Sequence, residues 1–171
     1  MATAPPAPEF WLRGPIEGVP PALMPAAHAL LQTLEDVERA VEGLTMDQLW
    51  LAPGGAASIG FHLIHLSGST DRLLTYARGL TLNDEQKAAI GKEKNPPRTD
   101  AAPLLADFRR TVEAALAQIR STPPDSLTDA RAVGRAGLPT TVLGLIFHAA
   151  EHSQRHAGQV VTTAKVVRAP A

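Results

Sequence analysis

Five of the six histidines lie in two short stretches of the sequence. One stretch contains His62 and His65, and the other contains His148, His152 and His156. On a helix, residues four apart lie on one face about 6 Å from each other. Two imidazoles at that spacing can hold one metal ion, each at roughly 2.0–2.1 Å from it. The second stretch therefore predicts a metal site that takes a further ligand from another helix.

Within the second stretch, the three histidines are not equivalent. On a helical projection His156 falls inside the apolar arc and His152 falls at its edge. His148 falls toward the polar side, which also carries Glu151 and Arg155. His148 and His156 are two turns apart, about 12 Å along the helix axis, so one ion cannot easily bind both. Helical geometry therefore favours His152 and His156 as the inward pair.

Each of these histidines could instead have a purely structural role. A single histidine on an apolar helical face is usually a core residue with a hydrogen-bonded ring. The paired spacing favours the metal site, since burying several imidazoles without partners is costly. The first stretch is less decisive. His62 and His65 both lie to one side of the apolar stripe of their helix, and either could supply the further ligand.

Arg72 and Tyr76 extend the polar strip that begins at His65. One interpretation is a pocket wall for a substrate or cofactor, with the Arg72 guanidinium available to bind an anion. The alternative is a solvated helix face on which Arg72 pairs with an acidic side chain. The sequence favours this alternative, and the pocket wall stays open as a hypothesis.

Helical periodicity places these residues on a bundle. Four long helices are predicted: Pro21 to about Gly43, Ile59 to about Arg78, a cap at Thr99 or Asp100 to about Ser121, and Thr140 to about Lys165. The connectors are long, with a candidate short helix at 83–93 and a candidate hairpin at 130–137. Connectors of that length can cross a bundle, so consecutive helices need not be antiparallel. The predicted fold is an all-α four-helix bundle with long crossover connections over residues 21–167, after an irregular Pro/Gly-rich arm at 1–20.

The composition excludes several classes of protein. Of the 171 residues, 44% are apolar and 19% are charged, as in ordinary soluble domains. A net charge of −1 without basic runs argues against a nucleic-acid partner. We predict a cytoplasmic protein that does not bind membranes, because the sequence shows neither a signal peptide nor an apolar run of about 18 residues. The absence of cysteine excludes disulfides, thiolate ligands and cysteine nucleophiles.

Two segments resemble the DinB-like superfamily of metal-binding four-helix bundles. Residues 58–66 open with serine and carry His65 seven residues later, and residues 151–159 place His152 and His156 before Gly-Gln. The resemblance extends over about residues 21–165. It implies that His65, His152 and His156 are the metal ligands, that the second and third long helices run parallel, and that the protein is a homodimer.

The resemblance also implies a chemistry. Three neutral imidazoles leave open coordination positions and suit Zn²⁺ or Ni²⁺. Several members use the metal to activate a low-molecular-weight thiol, which implies a metal-dependent thiol S-transferase or related detoxification enzyme acting on a small molecule. The alternatives are a metal-dependent hydrolase and a non-enzymatic metal-binding or dimeric stress bundle. His62 and His148, which the family motif does not require, are interpreted as catalytic acid–base groups or as residues that orient the ligands.

Overall fold

A computed structural model of the protein describes residues 7–169. The predicted all-α four-helix bundle is confirmed. Its long helices are α1 (Met24–Val41), α3 (Ile59–Ala77), α5 (Ala101–Ser121) and α6 (Val142–Arg168). The connectors contain the short helices α2 (Met46–Trp50) and α4 (Asp84–Glu93) and an antiparallel hairpin of β1 (Ala130–Val133) and β2 (Leu138–Thr141). None of the helices within residues 7–169 combines the length and apolar character that crossing a membrane requires.

The helices begin and end at residues whose side chains favour those positions. Ser58 caps α3, its hydroxyl accepting a hydrogen bond from the Phe61 N–H at 3.2 Å. Gly79 follows the end of α3 with φ of +76°, a left-handed conformation that glycine adopts at low cost. Thr141 caps α6 by accepting from the Gly144 N–H at 3.0 Å. The fourth predicted helix therefore begins at Val142 rather than Thr140, because residues 138–141 belong to the hairpin.

Helices α3 and α5 run parallel. At their starts, the Trp50 indole packs on Gly60 of α3 and donates to the Thr99 carbonyl just before α5 at 2.8 Å. At their ends, the Gln118 amide of α5 donates to the Leu74 carbonyl of α3 at 2.9 Å. Both pairs of ends therefore lie together, as the family resemblance implied.

The two remaining long helices also form a parallel pair. Gln154 of α6 donates to the Ala29 carbonyl of α1, and Arg168 at the end of α6 donates to the Glu42 carbonyl just after α1. Around the bundle the packing order is α1, α6, α3, α5, and then α1 again. The contacts of His62 with His156 and of His65 with His152 together show that α3 and α6 run in opposite directions. The chain therefore passes up, down, down and up through the four long helices.

A crossover connector follows from this topology. The chain leaves α3 at one end of the bundle and must return along its length, about 28 Å, before α5 can start. Helix α4 forms in this connector and lies along α3. Gln86 of α4 donates to the Asp71 carboxylate at 2.7 Å and the Thr75 hydroxyl at 2.8 Å, both on α3. Helix α4 is thus attached to the bundle by side-chain hydrogen bonds.

The core lies between the four long helices and includes a close contact at the start of α3. Leu30, Leu63, Phe108 and Ile146, one from each long helix, are fully buried. At the rim, the absence of a side chain at Gly60 admits the Trp50 ring.

We predict that Gly60→Ala lowers the free energy of unfolding by about 1–3 kcal/mol, as overpacking typically does. An added Cβ would lie 2.8 Å from three atoms of the Trp50 ring, which the hydrogen bond to Thr99 keeps in place. Urea denaturation measures the change. The matched control is Gly91→Ala in α4, where nothing lies within 4 Å, and it should leave stability unchanged or raise it by up to about 1 kcal/mol. Equal effects of the two substitutions would contradict the packing argument.

Candidate metal centre

Three histidines converge where α3 and α6 pack in opposite directions. His65 of α3 lies beside His152 and His156, which occupy successive turns of α6. One nitrogen from each ring forms a group whose members all lie within 4.8 Å of one another. The ring centroids are 4.6 Å apart for His65 and His156, and 4.5 Å apart for His152 and His156. The inward pair on α6 and one histidine of α3 thus face a common point.

The spacing of these nitrogens fits the coordination shell of a small divalent ion. The Nε2 atoms of His65 and His152 are 3.0 Å apart. Two nitrogens bound tetrahedrally at roughly 2.0–2.1 Å lie about 3.3 Å from each other, so this pair needs only a small adjustment. Among residues 7–169, no fourth histidine, carboxylate or cysteine joins this group. The donor set therefore fits a metal with open coordination positions.

The ring of His65 is held from behind by a residue that the sequence analysis did not identify. The Glu93 carboxylate at the end of α4 lies 2.8 Å from Nδ1 of His65. The Arg72 guanidinium pairs with the same carboxylate, with Nη1 at 2.5 Å from Oε1. The sequence separation of 28 residues between His65 and Glu93 follows no helical spacing. The sequence offered one indirect signal: if Arg72 pairs with an acidic side chain, as the alternative interpretation of Arg72 required, an acidic residue must lie near it.

His62 contacts the metal-ligand candidates from the other side. Its Nδ1 atom lies 2.9 Å from Nδ1 of His156, and its side chain is buried. This leaves Nε2 of His156 without a hydrogen-bond partner among residues 7–169. Both histidines of the first stretch therefore face α6, His65 toward His152 and His62 toward His156. His62 also lines a surface cavity of about 380 Å³ with Arg155.

Of the remaining predicted site residues, His148 and Arg72 lie near this centre, whereas Tyr76 is eleven residues beyond His65, about 16 Å along α3. His148 is exposed, with its ring centroid 5.4 Å from that of His152 and its Nδ1 3.2 Å from the Glu151 carboxylate. Arg72 makes the ion pair with Glu93 described above, so its charge faces a carboxylate of the protein. Tyr76 lies one turn further along α3 and packs against the hydrophobic core.

Burial favours the neutral form of three imidazoles in the cluster. It lowers the pKa of His62 to about 4, with a further contribution from the neighbouring His65. Burial likewise lowers the pKa of His156 to about 4, with His65 and His152 adding to the shift. The pKa of His152 is also lowered, mainly by burial. Neutral imidazoles are the form that binds metal ions, so these rings retain free lone pairs at neutral pH.

Glu93 shows the opposite balance. Burial by itself would raise the pKa of this carboxyl, but hydrogen bonds from His65 and Arg72 and their charges lower it below its usual value. Glu93 is therefore ionised at neutral pH and accepts hydrogen bonds from both partners.

The fold and sequence are similar to known proteins. A family model described as the DinB superfamily matches residues 29–160. Among solved structures, the chain resembles one described as "YfiT from Bacillus subtilis is a probable metal-dependent hydrolase with an unusual four-helix bundle topology". The TM-score is 0.66 at 16% sequence identity, over 90% of this chain and 92% of that chain. Comparison with curated protein sequences finds no match.

We predict that the metal-free protein loses stability as the pH falls from about 6.5 toward 4. In that interval His62 and His156 become protonated in the unfolded chain but stay neutral in the folded protein, so the unfolded state binds more protons. Urea denaturation of chelator-treated protein at a series of pH values measures the effect. His62→Gln should reduce the slope, whereas His148→Gln serves as an exposed control that should not. A slope unaffected by His62→Gln would contradict the assignment.

Proposed function

Because the chain belongs to the DinB superfamily, we propose that His65, His152 and His156 bind one divalent ion, Zn²⁺ or Ni²⁺, and that the protein is a metal-dependent enzyme. The single observation that carries the proposal is the convergence of three imidazole nitrogens from two helices within 4.8 Å. An all-nitrogen donor set suits these two metals. A group of three, without a fourth protein ligand among the described residues, supports an open catalytic site over a closed structural one.

The proposed reaction is attack by a small nucleophile on an electrophilic small molecule. A divalent ion at such a site supplies positive charge that favours the deprotonated form of water or of a thiol near neutral pH. The description of YfiT as a probable metal-dependent hydrolase supports water as the nucleophile. The motif resemblance to thiol-using members of the superfamily supports a low-molecular-weight thiol and an S-transferase. These two candidates share the same site and differ in the nucleophile.

The neighbouring histidines have distinct proposed roles. His62 is buried and in contact with Nδ1 of His156, so it orients that ring. His148 is exposed beside His152 and in contact with Glu151, an arrangement that suits proton exchange between the site and solvent. The cavity lined by His62 and Arg155, about 380 Å³ in volume, can hold part of a small substrate beside His62, but the three candidate ligands are not among its lining residues.

Metal content provides the first test. Protein purified natively, or reloaded with Zn²⁺ or Ni²⁺, should contain about one ion per chain by mass spectrometry. His152→Ala should lose the ion because it removes one of three ligands, whereas His148→Ala should retain it because His148 lies outside the group. Circular dichroism confirms that both variants are folded. A wild-type protein that takes up neither metal would overturn the proposal, and equal loading of wild type and His152→Ala would overturn the site assignment.

Activity assays distinguish the two nucleophiles. Metal-loaded protein is incubated with a chromogenic aryl ester, and separately with a chromogenic aryl halide in the presence or absence of cysteine as the thiol. Ester cleavage without thiol supports the hydrolase, and thiol-dependent release of halide supports the S-transferase. His148→Gln should lower the active rate about 100-fold without loss of metal, as removal of a proton-transfer group does. Metal-loaded protein inactive in both assays favours the non-enzymatic alternative.

A further inference from the structure

We propose that Glu93 is the positioning residue of the metal centre and that, through it, the docking of the crossover helix α4 controls metal affinity. This inference rests on the proposed function for its metal. The residue comes neither from α3 nor from α6, which carry the candidate ligands, but from the connector between α3 and α5. The site therefore depends on a third segment of the chain.

The first step is the orientation of His65. An ionised carboxylate can only accept hydrogen bonds, so its 2.8 Å contact requires that Nδ1 of His65 carries the proton. The Nε2 atom then keeps its lone pair, and this is the atom that lies 3.0 Å from Nε2 of His152. Glu93 thus selects the tautomer of His65 that can bind a metal between the two helices.

The second step is the fixation of Glu93 itself. Its side chain is buried, and the Arg72 guanidinium contacts both oxygens, at 2.5 Å from Oε1 and 3.3 Å from Oε2. The residue opposite it on α3 is Gly68, where a Cβ would lie 2.4 Å from Oε1 of Glu93. The absence of a side chain at Gly68 leaves room for the Glu93 carboxylate, and the Arg72 guanidinium binds it there.

The third step links the position of Glu93 to the rest of α4. Glu93 is the last residue of the helix, and Gln86 attaches its first turn to Asp71 and Thr75 of α3. Gln86 also completes the capping box with Asn83, so it determines where the helix begins. Gln86 lies seven residues before Glu93, about 10 Å along the helix axis. Loss of the Gln86 contacts at the start of α4 should therefore affect the orientation of His65 through the position of Glu93.

The direct test is Glu93→Gln. Its amide can donate or accept, so it no longer enforces one tautomer of His65. We expect the affinity for Zn²⁺, measured by competition with a chromogenic chelator, to fall about 10- to 100-fold, the usual effect of losing such a partner. Far-UV circular dichroism verifies that the variant is folded. An affinity within twofold of wild type would overturn the proposal.

A second readout requires no metal. Nitrogen-15 NMR of the histidine rings at about pH 8.5, where imidazoles are neutral, reports which nitrogen carries the proton. His65 should be a single Nδ1–H tautomer in the metal-free wild type and a mixture of tautomers in Glu93→Gln. The same single tautomer in both proteins would overturn the role of Glu93. If the wild type binds no metal, the proposed function fails, and this measurement still decides whether Glu93 positions His65.

The coupling to α4 is tested by a double-mutant cycle. Gln86→Ala should weaken Zn²⁺ binding about 2- to 10-fold in the wild-type background and have little effect in the Glu93→Gln background. Lys87→Ala is the matched control, because within residues 7–169 the Lys87 ammonium pairs with the exposed Asp84 of the same helix and with no other acidic side chain. Equal effects of Gln86→Ala in the two backgrounds would overturn the coupling through Glu93.

Discussion

The parallel alignment of α3 and α5 is the constraint from which the rest of the arrangement follows. Consecutive antiparallel helices need only a short loop, but two parallel ones need a connector that retraces the length of the bundle. In this protein the connector is partly helical, attached to α3 by Gln86, and ends in Glu93 beside His65. The same topology leaves α6 free to pack antiparallel to α3, so that the histidines of the two helices meet.

The histidines, Glu93 and Arg72 are tolerated in this interface because each of them has a partner, whereas the buried Ser69 hydroxyl on α3 has none among residues 7–169. His62 contacts His156, His65 lies between Glu93 and His152, and Arg72 neutralises Glu93. A buried imidazole or carboxylate without such a partner would be strongly destabilising. Burial favours neutral His62, His152 and His156, and hydrogen bonds keep Glu93 ionised. The nitrogen ligands of the candidate site are therefore already arranged before a metal binds.

Much of this arrangement was accessible from the sequence, and the rest was not for physical reasons. The period of the apolar residues predicted the long helices and the inward pair His152 and His156. Residue spacing alone could not choose between His62 and His65, because the choice depends on how α3 is rotated against α6. The structure shows that both face α6, and the family resemblance singled out His65. Glu93 was missed because a contact across a connector leaves no periodic signal.

The residues of the centre come from α3, α6 and the connector helix α4, and these segments differ in how freely their sequence can change. The candidate ligands lie on two long helices whose other faces form the core, so a change of their backbone would disturb the whole bundle. Glu93 lies on a short, largely exposed helix that contributes little to that core. The residue that positions His65 can therefore be exchanged within the connector, provided that its replacement also pairs with Arg72 of α3. In such a scaffold the chemistry of the site can change, in evolution or in design, while the core of the four long helices stays the same.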